Sequence, residues 1–211
     1  MSTADPKRTV AAGYDRVGDA YARDSLHTRA EERERYTQFL LDHLPAGARV
    51  LDLGCGSGIP TTRRLAERFA VTGVDISAEQ VRRASANVPG ARFLRADMTA
   101  LELPPGALDA VVAFYSIIHV PRDEQAPLLR SIHGWLAPGG SFLCTLGAHD
   151  AQADIEADWL GAPMYWSSFD VDANLRMLRA AGFAILCSRL ETAEEDGQPV
   201  TFLWVLARRE R

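Results

Sequence analysis

Residues 50–60, Val50-Leu51-Asp52-Leu53-Gly54-Cys55-Gly56-Ser57-Gly58-Ile59-Pro60, constrain this chain more than any other stretch. An aliphatic run that breaks into alternating glycines and then into an apolar and basic helical pattern reads as a buried strand, a tight turn and a helix start. Glycine at 54, 56 and 58 lets backbone approach a ligand where a Cβ would collide. Val71-Thr72-Gly73-Val74-Asp75 reads as the next buried strand, and an acidic residue at its carboxyl end can accept both hydroxyls of a ribose. The unit is therefore one that binds a nucleotide.

Spacing narrows which nucleotide. The dinucleotide fingerprint needs a third glycine at position 59, where Ile59 stands, and a phosphate-cradling loop needs Gly-Lys-Ser/Thr, with no lysine near. The pattern Asp52-x-Gly54-x-Gly56-x-Gly58 with Asp75 beyond resembles motif I of the class I S-adenosylmethionine-dependent methyltransferases. Ala96-Asp97-Met98 and the turn Leu136-Ala137-Pro138-Gly139-Gly140 extend the resemblance, which runs from about Tyr14 to the C-terminus.

Composition fits a chain that buries a full core without staples: 211 residues, 47% hydrophobic, net charge −5. Three cysteines without a Cys-x-x-Cys pair read as a reduced protein, with Cys144 and Cys187 in apolar runs as small core residues. The first residues lack the apolar stretch of a signal peptide and no run approaches a membrane span, so the expected location is cytoplasmic, with no membrane partner. The 23 basic residues comprise one lysine and 22 arginines scattered among acids. Nucleic acid calls for a basic face, so no nucleic-acid partner is expected and a small molecule is favoured.

Between Arg49 and Leu146 the pattern alternates: strands at 49–53, 71–74, 92–95, 110–114 and 141–146, helices at 60–69, 78–87 and 122–136. A helix over 171–181 ends at Gly182, and apolar runs at 183–190 and 200–208 flank a turn-rich acidic segment, so they pair antiparallel. Residues 1–10 look frayed, and 14–43 read as two helices with a break near 25–28. The charged run 29–35 reads as a solvated helix face. The expected fold is α/β: a Rossmann-like, seven-stranded, mostly parallel sheet with helices on both faces and an antiparallel C-terminal hairpin. Residues 1–45 form an N-terminal helical lid, and 46–211 form the cofactor-binding core with a substrate cover at 150–170.

The resemblance implies roles. Asp52, Gly54, Cys55, Gly56 and Gly58 line the loop around the methionine and ribose portions, Asp75 takes the ribose hydroxyls and Ile76 lies on an adenine face. Asp97 accepts from the adenine amine, Ala96 and Met98 border the ring, and Phe114 offers its carbonyl to the methionine ammonium. Tyr14 and Tyr21 either close over the cofactor or pack their helix onto the core. His119 and His149 are the candidate bases, His149 with Asp150 beside it to orient it; the alternatives are a core or capping histidine and a solvated loop histidine. Tyr115 follows the fourth strand, and Trp159, Met164, Tyr165, Trp166 and Phe169 crowd a segment without regular pattern, suited to an aromatic substrate mouth or to packing.

The implied activity is transfer of a methyl group from S-adenosylmethionine to an oxygen or nitrogen of a small molecule, a secondary metabolite, leaving S-adenosylhomocysteine and using no metal. The assembly is a monomer or homodimer. Two other readings remain: a cofactor-assisted enzyme that does not methylate, and a non-catalytic cofactor-binding module.

Overall fold

The computed structural model describes residues 5–25, 29–195 and 197–210. Two helices, Pro6–Ser25 (α1) and Ala30–His43 (α2), precede the alternating core of Arg49–Leu53 (β1), Thr61–Ala66 (α3), Ala70–Asp75 (β2), Ala78–Asn87 (α4) and Arg92–Arg95 (β3). Leu108–Ala113 (β4), Arg122–Trp135 (α5) and Leu136–Gly147 (β5) complete the parallel part. Ala151–Trp159 (β6), Ala162–Ser168 (β7), Val171–Ala180 (α6), Phe183–Glu195 (β8) and Gln198–Arg209 (β9) follow.

Seven strands form one sheet in the order β3-β2-β1-β4-β5-β9-β8. β1 pairs in parallel with β2 and β4, and β5 and β8 both pair antiparallel with β9. The order reverses between β1 and β4, so the crevice beyond their carboxyl ends is the ligand position. Successive side chains of each strand point to opposite faces, and two cores result. Leu51, Val111 and Phe142 pack against α5 and α6, while Val50, Val112 and Leu143 pack against Leu40 of α2 and Leu65 of α3.

The expected fold class holds, with local corrections. The frayed start gives way to helix from Pro6, because proline suits a first turn and Asp5 Oδ1 accepts from the Lys7 amide at 3.0 Å. Of that start, residues 1–4 lie outside the described residues, as do residues 26–28 of the expected break. α3 is shorter than the expected 60–69. β5 starts at Leu136 rather than 141, since Leu136 pairs with Leu108 before a register shift that the Pro-Gly-Gly turn accommodates. The C-terminal hairpin runs further than expected, to Glu195 and Gln198. The cover is not irregular: β6 and β7 form a two-stranded hairpin of their own. Among the described residues no helix is long and apolar enough to cross a membrane.

Candidate active site

The glycine loop follows β1 and is shaped by close packing more than by a ligand at two of its three glycines. Gly54 has φ 72°, and a Cβ there would stand 2.3 Å from the Ser116 Cβ, whose hydroxyl donates to the Leu53 carbonyl at 2.8 Å. A Cβ on Gly58 would lie 3.1 Å from the Val88 side chain, so Gly58 seats the loop against the end of α4 and lines neither large cavity. Gly56 faces the cleft, and its amide donates to Asp75 Oδ2 at 2.9 Å. Asp75 Oδ1 accepts from the Ser77 amide at 2.9 Å, which fixes the carboxylate at the end of β2. Burial outweighs these bonds and pushes the Asp75 pKa up to about 6. Asp52, held by the Thr62 hydroxyl at 2.6 Å, is raised to about 6 by the same burial. The Cys55 thiol is buried beside both carboxylates and raised far above its usual range, which makes it a poor nucleophile.

A first cavity runs along the strand ends past Gly54, Gly56, Asp75, Ile76, Ala96, Asp97, Met98 and Phe114. That set fits an adenosyl group: a carboxylate for a diol, apolar faces for a purine, a second carboxylate further along. Asp97 is already engaged, because Lys7 Nζ reaches its Oδ2 at 2.7 Å and Thr99 donates to its Oδ1 through both amide and hydroxyl. Lys7, the chain's one lysine, also bonds Thr99 Oγ1 at 2.7 Å and Glu124. It was hidden from sequence reasoning because it lies in the stretch expected to fray.

α1 crosses this cleft and is held on two sides near its middle. Asp15 Oδ1 accepts from the Ser77 hydroxyl at 2.6 Å and from the Glu79 amide at 3.0 Å, adding an acid to the positive N-terminus of α4. Against β7 the approach is so close that a Cβ on Gly13 would stand 2.7 Å from the Pro163 carbonyl oxygen. Tyr14 is thereby brought to His119, which sits in the 3₁₀ turn Ile117–His119 after β4. His119 Nδ1 lies 2.9 Å from the Tyr165 carbonyl oxygen, which can only accept, so Nδ1 carries the proton. Nε2 is then the lone-pair nitrogen, and the Tyr14 hydroxyl donates to it at 2.9 Å. Burial lowers the His119 pKa to about 4 and raises that of the Tyr14 phenol, so both are neutral at pH 7.

A second cavity, of about 220 Å³, opens on the other side of this pair. Tyr14, Tyr21, Tyr115 and His119 line both cavities. Trp159 and Trp166 wall the second one, their rings 5.4 Å apart and edge-on, with Trp159 also edge-on to Tyr14 at 5.5 Å. Tyr115 holds φ 56°, a left-handed conformation costly for a tyrosine, and its hydroxyl is buried without a partner among the described residues.

Not every residue expected at the substrate mouth is there. Tyr165 is buried and offers only its carbonyl, Met164 packs under Val10 of α1, and Phe169 lies beneath the Arg122 guanidinium at 3.9 Å. The reason is the hairpin: neighbours on a strand face opposite ways, so Tyr165 and Trp166 cannot share the cavity. His149 does not join the site either. It is exposed, and Asp150, expected to orient it, pairs with Arg122 at 2.7 Å instead. The run 29–35 needs the opposite correction. Arg29 is 5% exposed and donates to Glu195, to the Val200 carbonyl and to the Glu191 carbonyl, while Arg33 lies over Tyr115 at 4.3 Å. A charge-rich run gave no sign of this, because the acids that draw Arg29 inward lie about 160 residues further along.

Residues 50–140 match the family model described as "Methyltransferase domain". An uncharacterized methyltransferase of Mycobacterium tuberculosis is 44% identical over 108 residues, 48% of this chain and 53% of that protein. The 27-O-demethylrifamycin SV methyltransferase of Amycolatopsis mediterranei is 32% identical over 173 residues, 70% of this chain and 63% of the relative. The chain thus spans about half the length of the first and under two thirds of the second. A solved S-adenosylmethionine-dependent methyltransferase from Mesorhizobium loti superposes with a TM-score of 0.68 at 26% identity, over 84% of this chain and 98% of that one.

Proposed function

Because the chain belongs to the class I S-adenosylmethionine-dependent methyltransferase family, we propose that it transfers the sulfonium methyl of that cofactor to an oxygen or nitrogen of a flat, largely apolar small molecule. The observation that carries this reading is the shared wall of the two cavities: Tyr14, Tyr21, Tyr115 and His119 border both. A reactive methyl held in one and a nucleophile held in the other meet at these four residues. The relative named for 27-O-demethylrifamycin SV supports a small-molecule oxygen as the acceptor atom.

The cofactor supplies an activated methyl group whose leaving thioether needs no acid. Asp75 and the Gly56 loop would hold the ribose, Ile76 and Met98 would border the purine, and Asp97, steadied by Lys7, would face its amine. Alignment of the reacting atoms is the main contribution, about 7–11 kcal/mol where geometry is good. Residues 1–45 act as a lid, with α1 excluding water from the junction. The remaining task is a proton. An acceptor hydroxyl bonded to the Tyr14 oxygen loses its proton to that oxygen as the methyl arrives, while the Tyr14 proton passes to His119 Nε2. His119 with a pKa of about 4 is a weak base, and a weak base suffices because an oxygen that has gained a methyl is strongly acidic. The Tyr165 carbonyl, accepting from Nδ1, stabilises the imidazolium so formed.

Calorimetry with S-adenosylhomocysteine tests the cofactor half, with Asp75→Asn expected to weaken binding about 100-fold through loss of charged hydrogen bonds to the ribose. Transfer of labelled methyl to a metabolite panel tests the other half. Binding without any labelled product, or binding untouched by Asp75→Asn, would overturn the assignment.

A further inference from the structure

We infer that Arg33 is a carboxylate anchor at the waist where the cofactor cleft meets the acceptor cavity, an inference that rests on the methyltransferase reading above. Three arginines open α2, and two are already satisfied. Arg29 is buried in its web of Glu195 and two carbonyls, and Arg35 pairs with Glu191 at 2.7 Å. Arg33 is different. Among the described residues its Nε is buried with no hydrogen-bond partner and no ion pair joins its guanidinium to a carboxylate; Asp52 acts on it only through space, and its guanidinium lies over the Tyr115 ring at 4.3 Å. An unpaired cation in a half-buried site is costly unless a ligand completes it.

Its position says what kind of ligand. Arg33 lines the acceptor cavity, and it also lines a small recess bounded by Asp52, the glycine loop and Thr61. Among the described residues the Thr61 hydroxyl in that recess is buried without a partner, as is the Tyr115 hydroxyl on the other side. Each side thus offers a neutral donor beside the same guanidinium. Stacking on Tyr115 occupies one face of the guanidinium and leaves its planar fork of N–H groups for a bidentate acceptor, the geometry of a carboxylate. The left-handed backbone of Tyr115 is a strained conformation that the surrounding packing has to hold, and it sets the direction of this platform.

A carboxylate can come from two sources: the methionine end of the cofactor, through the recess, or an acid group on the acceptor, through the larger cavity. Paired probes separate them. S-adenosylhomocysteine is titrated against its decarboxylated analogue, 5′-deoxy-5′-(3-aminopropylthio)adenosine. Separately, 2-naphthoate is titrated against 2-naphthamide by the fluorescence of Trp159 and Trp166. Arg33→Met is expected to weaken one carboxylated probe about 10- to 100-fold, the range of a lost charge-assisted pair, and not to weaken its carboxylate-free counterpart by more than about 2-fold. Arg33→Lys recovers part of the loss, since the charge remains without the fork. Loss on the adenosyl arm assigns the cofactor as the source; loss on the naphthyl arm assigns the acceptor.

The inference is overturned if Arg33→Met spares both carboxylated probes, or weakens each probe and its carboxylate-free counterpart equally, the mark of a packing role only. A wild-type protein that binds neither adenosyl compound would instead bring down the methyltransferase reading, and this inference with it.

Discussion

The cofactor cleft and the acceptor cavity share a wall but are built in opposite ways. The cleft is assembled from short local stretches at the ends of parallel strands, and backbone amides do much of the holding, as Gly56 and Ser77 do for Asp75 at 2.9 Å each. The acceptor cavity has no such frame. Its contacts join residues far apart in the chain, 105 positions for Tyr14 and His119 and 166 for Arg29 and Glu195. Beyond Tyr115, Ile118 and His119 after β4, its walls are side chains carried by α1, the start of α2, the β6–β7 hairpin and the tip of β8–β9. A site fixed by strand topology resists change in its surroundings, whereas one fixed by packing among peripheral elements can be remodelled without disturbing the sheet.

The sharpest test of that separation is also the largest expected effect. Tyr14→Phe and His119→Asn remove the proposed proton path at the junction, and each is expected to lower kcat by about 10²–10³-fold. Affinity for S-adenosylhomocysteine should stay within about 3-fold, because an interaction used only in the transition state is absent from product binding. The two losses should not add in the double variant, since one path is broken either way. A parallel collapse of cofactor affinity would show that the two cavities are one site, and the contrast drawn here would fail.

The same contrast explains what could be read from residues alone. The glycine loop, Asp75 and the strand-helix alternation were legible because each is a local pattern with a local cause: β-branched runs bury, glycine turns, an acid caps a strand end. His119 was recognisable as a candidate, but not its partner, because nothing in Ile117-Ile118-His119-Val120 points to Tyr14. Tyr165 and Trp166 were both placed at the substrate mouth because the hairpin went unseen; Ala162-Pro163 and the aromatic crowding masked its period of two. Gly58 carried the loop's signature yet serves packing against Val88, a distinction that spacing does not encode. Arg29 looked like surface because its charge is visible in sequence, while the acid on β8 that neutralises it and the carbonyls on β8 and β9 that accept from it are not.

pH offers a second, smaller separation, because the two regions titrate in different ranges. Ribose hydroxyls donate to an ionised carboxylate, and burial raises Asp75 from 3.8 to about 6 in the folded protein. Cofactor affinity should therefore be level above pH 6 and fall about tenfold per unit below it. His119 moves the other way, from 6.5 down to about 4, so its lone pair survives well below neutrality. At saturating cofactor, kcat should hold level from pH 8 to about 5, while kcat/KM for the cofactor bends near 6. Rate profiles at fixed excess and at limiting cofactor measure both. A kcat limb centred near 6.5 would mean that an ordinary, solvated histidine limits the reaction, and would remove His119 from the proton path.

The smallest expected effect probes the first turn of α1, at the far end of the first cavity from the junction. Lys7 ties the first turn of α1 to Asp97, Thr99 and Glu124, with a quarter of its side chain exposed. Partly solvated ion pairs contribute little, on the order of 0.2–1 kcal/mol each. Removing Lys7 also frees Asp97 to accept from the adenine amine, which offsets part of the loss. Lys7→Met should accordingly raise the dissociation rate of S-adenosylhomocysteine by about 2- to 5-fold, with most of the change in off-rate rather than on-rate. Asp15 still anchors the helix to Ser77 and Glu79, and Gly13 still presses it on Pro163, so kcat should scarcely move. Stopped-flow displacement of the bound thioether reads the rate directly. A loss of binding on the scale of Asp75→Asn would make α1 a structural part of the cofactor cleft, and the division between a strand-built half and a packed half would have to be redrawn along that helix.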